Sequence, residues 1–310
     1  MSHNRKAFLF SGAFLFSLLL TSSPLQAEST GNARYLFSFK THRSACMVRI
    51  NNVPLLNNFF SKSGMSTAGG DITAFSANGK NRLELVMGAI DPGKPEMLYA
   101  DSWCEIVVTK KTLRNSETVS TIRLTVDGEK KVVASESSHP DGAENESAVS
   151  EVQSPGDKIN GLFGAGRQIT VSDIPVWAWE HGRPVTPQDL PAIKAAYTTI
   201  WQAMKDKEVT TLKALAQISI KEFSIATGFS PDLIFETFDL AEKIQSPDLT
   251  MMPLKWEGEE LITYCDGRVF RFASGVYQNS PLKMKDKADD IDFTYNPYFA
   301  IIDGKVVIVR

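Results

Sequence analysis

Between Ala33 and about Trp179, apolar and polar residues alternate with a period of two in a series of short runs. Tyr35 to Phe39 is one. Cys46 to Ile50 is another, and it stops at the turn-forming pair Asn51-Asn52. Arg82 to Met87 follows an Asn78-Gly79 turn, Glu105 to Val108 comes next, and Val119 to Val126 ends at Asp127-Gly128. Strand character returns at Gln168 to Val171 and around Val176 to Trp179. Such alternation sets one face on a core and the other in water. Short strands punctuated by Asn, Asp and Gly turns predict an all-β antiparallel sandwich over residues 28–183. Within it, 135–157 is rich in Ser, Glu and Asp and poor in apolar residues. That composition predicts a solvated acidic loop, because too little surface can be buried to offset the ordering entropy.

From Thr186 the period becomes that of a helix. Thr186-Pro187 is an entry signal, and Leu190, Ile193, Tyr197, Ile200, Trp201 and Met204 fall on one face. A short helix with Val209, Leu212 and Leu215 inward follows, then one over Ile218 to Ala226 that stops at Gly228. Ser230-Pro231 opens a further helix carrying Ile234, Phe238 and Ala241, which Ser246-Pro247 ends. After that the period returns to two. Leu261 to Cys265 and Val269 to Phe272 meet across Asp266-Gly267, and Tyr298 to Ile302 and Val306 to Val309 meet across Asp303-Gly304. Asp-Gly between apolar strands predicts a tight hairpin. Residues 184–310 therefore predict a self-contained α+β domain with helices packed on a curved antiparallel sheet.

The segment Ala196 to Glu208, leading into Thr211 to Leu215, resembles the opening of the ketosteroid-isomerase-like, or nuclear transport factor-like, cone fold. The resemblance implies helices wrapped by a curved sheet around a pocket. The Val48-Arg49-Ile50-Asn51-Asn52 and Asn78 to Asn81 segments resemble periplasmic β-sandwich modules, which implies carbohydrate or protein binding.

The first residues set the compartment. Arg5 and Lys6 precede an apolar stretch from Ala7 to Leu20, and a polar segment runs on to Ala27. Residues 1–27 read as a cleavable secretory signal peptide. The stretch falls short of the ~20 apolar residues of a lasting anchor. The expected mature form is periplasmic or secreted, with no membrane span after cleavage. In an oxidising compartment Cys46 and Cys104 are the natural disulfide pair, which leaves Cys265 as a small hydrophobe in a strand. The net charge of −3 disfavours nucleic acid as a partner.

Candidate chemistry is sparse. His42, His139 and His181 are scattered, and Asp289, Asp290 and Asp292 lack the Gly and distal Glu of a calcium loop. Gly161 to Gly166 lacks the Lys-Ser/Thr of a phosphate loop and reads as a flexible turn. Neither a metal nor a cofactor is expected. Trp177 and Trp179, two apart in a strand, share a face and form either a binding surface or a seam between domains. Tyr197, Asp239 and Tyr264 are the polar candidates for a pocket in the cone, but no family motif position matches them, so no catalytic residue is expected. These readings favour a non-catalytic binding protein whose partner is another protein, such as an immunity protein that neutralises an envelope-targeted toxin. An enzyme or small-molecule binder using the cone's pocket is the alternative, and a carbohydrate-binding accessory protein is a third.

Overall fold

The computed structural model describes residues 33–135, 150–151 and 155–310. The expected signal peptide and most of the acidic stretch lie outside the described residues.

The first half is an antiparallel β-sandwich. Its strands are β1 (Arg34–His42), β2 (Ala45–Ile50), β3 (Val53–Asn57), β4 (Ser66–Asp71), β5 (Gly79–Gly88), β6 (Trp103–Lys111), β7 (Ser116–Val126), β8 (Val132–Ala134), β9 (Ser150–Glu151) and β10 (Phe163–Val171). One sheet runs β4-β1-β6-β7-β8 and the other β3-β2-β5-β10-β9. The alternation decides which side chains meet. Tyr35, Phe37, Phe39, Ile106, Val108 and Ile122 of the first sheet share a core with Val48, Ile50, Leu83, Leu85 and Ile169 of the second. Cys46 on β2 and Cys104 on β6 form a disulfide with Cα atoms 6.4 Å apart, so the bond ties the two sheets through that core.

Two expectations for this half are corrected. The Gly-rich segment is not a turn beyond Gly161, because Gly164 and Gly166 lie inside β10, which pairs with β5 from Phe163 opposite Met87 to Val171 opposite Gly79. Pairing along a whole strand outweighs the weak strand preference of glycine. The acidic stretch also ends earlier than 157. Residues Pro155–Ile159 form a short helix, α1, and Asp157 is buried in a two-point ion pair with Arg49 at 2.9 and 2.5 Å. An acidic residue enters a core when a cation waits there, and composition alone carries no sign of it.

The second half begins with helices α2 (Leu190–Lys205), α3 (Val209–Leu215), α4 (Gln217–Thr227), α5 (Pro231–Glu236) and α6 (Leu240–Gln245). A single turn of 3-10 helix at Pro187–Asp189 leads into α2, where the Asp189 carboxylate accepts from the Thr186 N–H and hydroxyl, both at 2.8 Å. Gly228 closes α4 in the left-handed region at φ +77. The Ser230 hydroxyl accepts from the Leu233 N–H to open α5. The helix expected to run on to Ser246 is instead two. Asp239 takes φ +55 between them, after the Phe238 and Asp239 N–H groups bond three residues back and tighten the end of α5. Asp tolerates that conformation where most residues do not.

Strands β11 (Thr250–Met251), β12 (Glu260–Tyr264), β13 (Val269–Ala273), β14 (Lys283–Lys285), β15 (Ile291–Thr294), β16 (Phe299–Ile302) and β17 (Lys305–Ile308) complete the chain. They form a four-stranded sheet, β12-β13-β16-β17, and a three-stranded sheet, β11-β14-β15. Both Asp-Gly hairpins are present, with Asp266, Gly267, Asp303 and Gly304 all at positive φ. The three-stranded sheet was not expected, since strands of two to four residues are too short to show a period.

Tyr197 of α2 is the hub of this half's core. Its ring centroid lies 4.9 Å from that of Phe299, 5.6 Å from Phe272 and 5.9 Å from Trp256. The core of the sandwich, however, does not stop at residue 183. Ala226, Tyr264, Val269, Tyr298 and Ala300 belong to it as well. Residues 184–310 thus share hydrophobic surface with the sandwich rather than standing apart from it.

Candidate functional site

The seam between the halves is built on one turn of 3-10 helix, Thr73–Phe75, at the edge of the sandwich. Its carbonyls point at donors from distant parts of the chain. The Trp177 indole N–H donates to Thr73 O at 3.1 Å and Ser76 O at 2.9 Å, and the Trp179 indole N–H donates to Ala74 O at 3.4 Å. Arg310 Nε donates to the same Ala74 carbonyl at 2.7 Å. Its Nη1 pairs with Glu222 of α4, whose carboxylate also accepts the Ala178 N–H at 2.6 Å. The Arg310 guanidinium lies among the rings of Trp177, Phe223 and Phe75, with centroids 5.3 to 5.9 Å away. Burial pulls its pKa below the usual arginine range, and Glu222 opposes that pull. Glu180 accepts the Trp177 N–H at 2.8 Å, and burial pushes its carboxyl above the usual range.

A cleft of about 240 Å³ opens along this seam. Phe75 lines it from the sandwich, Phe223 from α4, and Phe238 from the break between α5 and α6. Thr294, Tyr295, Asn296, Tyr298 and Arg310 complete the lining. The rings brace one another edge-on, with Phe75 5.6 Å from Phe223 and 6.3 Å from Tyr298. Burial raises the pKa of both Tyr295 and Tyr298, so both hydroxyls stay protonated near neutral pH. Among the described lining residues there is no carboxylate, imidazole or thiol. The arrangement suits holding a ligand by aromatic contact and hydrogen-bond donation. Its described lining holds no acid–base pair.

The sequence candidates lie elsewhere. Trp177 and Trp179 are buried, on and beside a 3-10 turn (Ala178–His181) rather than in a strand, and they serve the seam rather than an outer binding surface. The Tyr197 hydroxyl is spent on the Phe272 backbone, donating to its O at 3.3 Å and accepting from its N–H at 2.9 Å. Asp239 is exposed at the break between α5 and α6. Tyr264 is buried behind the cleft, its ring edge-on to Tyr298 at 5.2 Å and its hydroxyl donating to Gln278 at 2.7 Å. None of the five lines the cleft. Cys265 is buried with its thiol pushed up to about 12 by burial, which makes it inert as a nucleophile. Among the described residues, no group of three His, Cys, Asp or Glu side chains converges to hold a metal ion. His139 lies outside those residues. Nor is any helix among them long and apolar enough to cross a membrane.

The described residues that do line the cleft come from five separate stretches of chain, so no local spacing announces them. No family model matches this chain, and neither a curated protein nor a solved structure matches it.

Proposed function

We propose that this is an exported, non-catalytic binding protein whose recognition site is the aromatic cleft at the seam. The observation that carries the reading is the cleft's lining, which among the described residues consists of phenylalanine and tyrosine rings, hydroxyl and amide groups and one guanidinium, with no acid or base placed to move a proton. Export is supported by the Cys46–Cys104 disulfide, which is stable in an oxidising compartment, and by the leader-like character of residues 1–27. In this reading the second half is a cone-like unit, and the cleft lies where its helices meet the sandwich. The partner is another protein, which inserts an apolar group into the cleft against Phe223 and Phe238, whose rings already meet edge-on. An immunity role against an envelope-targeted toxin fits such a protein.

The test is affinity capture from envelope extract with the wild-type chain and with Phe238→Glu, after circular dichroism has shown that the variant is folded. The expected result is a protein retained by the wild type and lost by the variant. Identical capture by both would reject the cleft as the site. A second reading, a small-molecule binder, is favoured by the concavity of the site. In that case both baits would retain no protein while ligand titrations still register.

A further inference from the structure

The described lining of the cleft is rich in donors and carries no acid. Among the described lining residues Arg310 is the one charged group. Tyr295 brings a hydroxyl that has no hydrogen-bond partner among the described residues, and burial is the one influence on its titration. Asn296 spends its amide oxygen on the Ser280 N–H at 2.8 Å, which leaves its amide nitrogen as a donor.

Behind Tyr298 stands a second guanidinium. Arg271 of β13 is only 3% exposed, and its Cζ lies 4.3 Å over the Tyr298 ring. It forms no ion pair among the described residues, and its Nε has no hydrogen-bond partner. The Nη2 of Arg310 likewise has none. Arg271 thus stacks on the Tyr298 ring, while Arg310, whose backbone pairs with that of Tyr298, lines the cleft; among the described residues the carboxylate paired with either is Glu222, which is bound to Arg310. A buried guanidinium without a counter-charge is costly, and the cost falls when an anion arrives. An anion that also carried a flat apolar body would suit the aromatic wall.

We infer that the cleft takes an organic carboxylate with a flat apolar body, its ring among Phe223, Phe238 and Tyr298 and its carboxylate held by Tyr295 and Asn296 in the field of Arg271 and Arg310. The inference rests on the cleft being the recognition site and names the chemistry it recognises. Such a group arrives either as a free small acid or as the terminal residue of a partner chain.

The test is calorimetric titration of the full, disulfide-intact chain with three probes: 3-phenylpropionate, 3-phenylpropanamide, and an acetylated tripeptide ending in phenylalanine with a free carboxyl. At least one carboxylate should bind tenfold or more tighter than the amide, and Tyr295→Phe should weaken that carboxylate by about tenfold and the amide by less, since a hydrogen bond to a charged acceptor is the stronger one. The better of the two carboxylates identifies the source. Arg271→Met should weaken carboxylate binding to a similar degree and raise the thermal midpoint, whereas a purely structural arginine would lower it. Equal affinity for amide and carboxylates would overturn the inference and leave the cleft as the recognition site. Failure of all three probes would also overturn it, and capture with Phe238→Glu then decides the cleft's role independently.

Discussion

The side chain of Arg310 reaches back 236 residues to donate its Nε proton to the carbonyl of Ala74. The same guanidinium pairs with Glu222 on α4. One residue thereby joins the edge of the sandwich, the helices and the final hairpin, at the place where the aromatic cleft opens.

Removing that residue should loosen the seam. Arg310→Met leaves Glu222 buried without its partner, and breaking a buried pair in this way costs about 3–5 kcal/mol. Replacing both, with Glu222→Leu beside Arg310→Met, should recover part of the loss, since the uncompensated charge is gone. Urea unfolding of the three chains checks this. A single variant as stable as wild type would show that the pair contributes nothing.

Residues 184–310 should not unfold cooperatively when expressed alone. Tyr264, Val269, Tyr298 and Ala300 pack in the core of the sandwich, so cutting at 183 exposes apolar surface that the fragment cannot cover. Calorimetry of the fragment is the check, and a sharp transition matching that of the full chain would argue for an independent domain.

Glu180 should make stability fall as pH rises. Burial lifts its folded pKa above the ordinary value of 4.5, so the folded state holds the proton more tightly than the unfolded chain. The stabilisation is complete below about pH 4.5 and is lost as pH climbs through the raised folded value. Glu180→Gln keeps an acceptor for the Trp177 N–H and removes the titration. It should gain on wild type above that window and match it below. Equal pH profiles for the two chains would contradict the assignment.

The Cys46–Cys104 bond closes a loop of 58 residues. Restricting the unfolded chain over that length contributes about 4 kcal/mol. The Cys46→Ala, Cys104→Ala chain should lose stability of that order, measured by chemical unfolding under oxidising conditions. A loss below about 1 kcal/mol would mean that the cross-link hardly restricts the unfolded chain.

What the sequence made legible was local. Alternation along Tyr35 to Phe39 and Arg82 to Met87 located sandwich strands, and the Asp-Gly pairs at 266 and 303 located hairpins, because a period or a positive-φ turn needs only neighbouring residues. Compartment chemistry was enough to pair Cys46 with Cys104. What it concealed was long-range. Asp157 looked solvated until Arg49, more than a hundred residues earlier, was placed beside it. Phe75, Phe223, Phe238 and Tyr298 carry no shared spacing, and only the packing of the two halves brings them to one cleft. The tryptophans at 177 and 179 caught attention for their chemistry, yet that chemistry is turned inward to hold the Thr73–Phe75 turn.

The most direct test of the cleft as recognition site is site-specific photocrosslinking in the protein's own host. A photoreactive benzoylphenylalanine replaces Phe238, which lines the cleft, or the adjacent Asp239, which is exposed outside it. A discrete crosslinked product is expected from position 238 and none from 239. Equal products from both positions, or a product from 239 alone, would contradict the cleft's role.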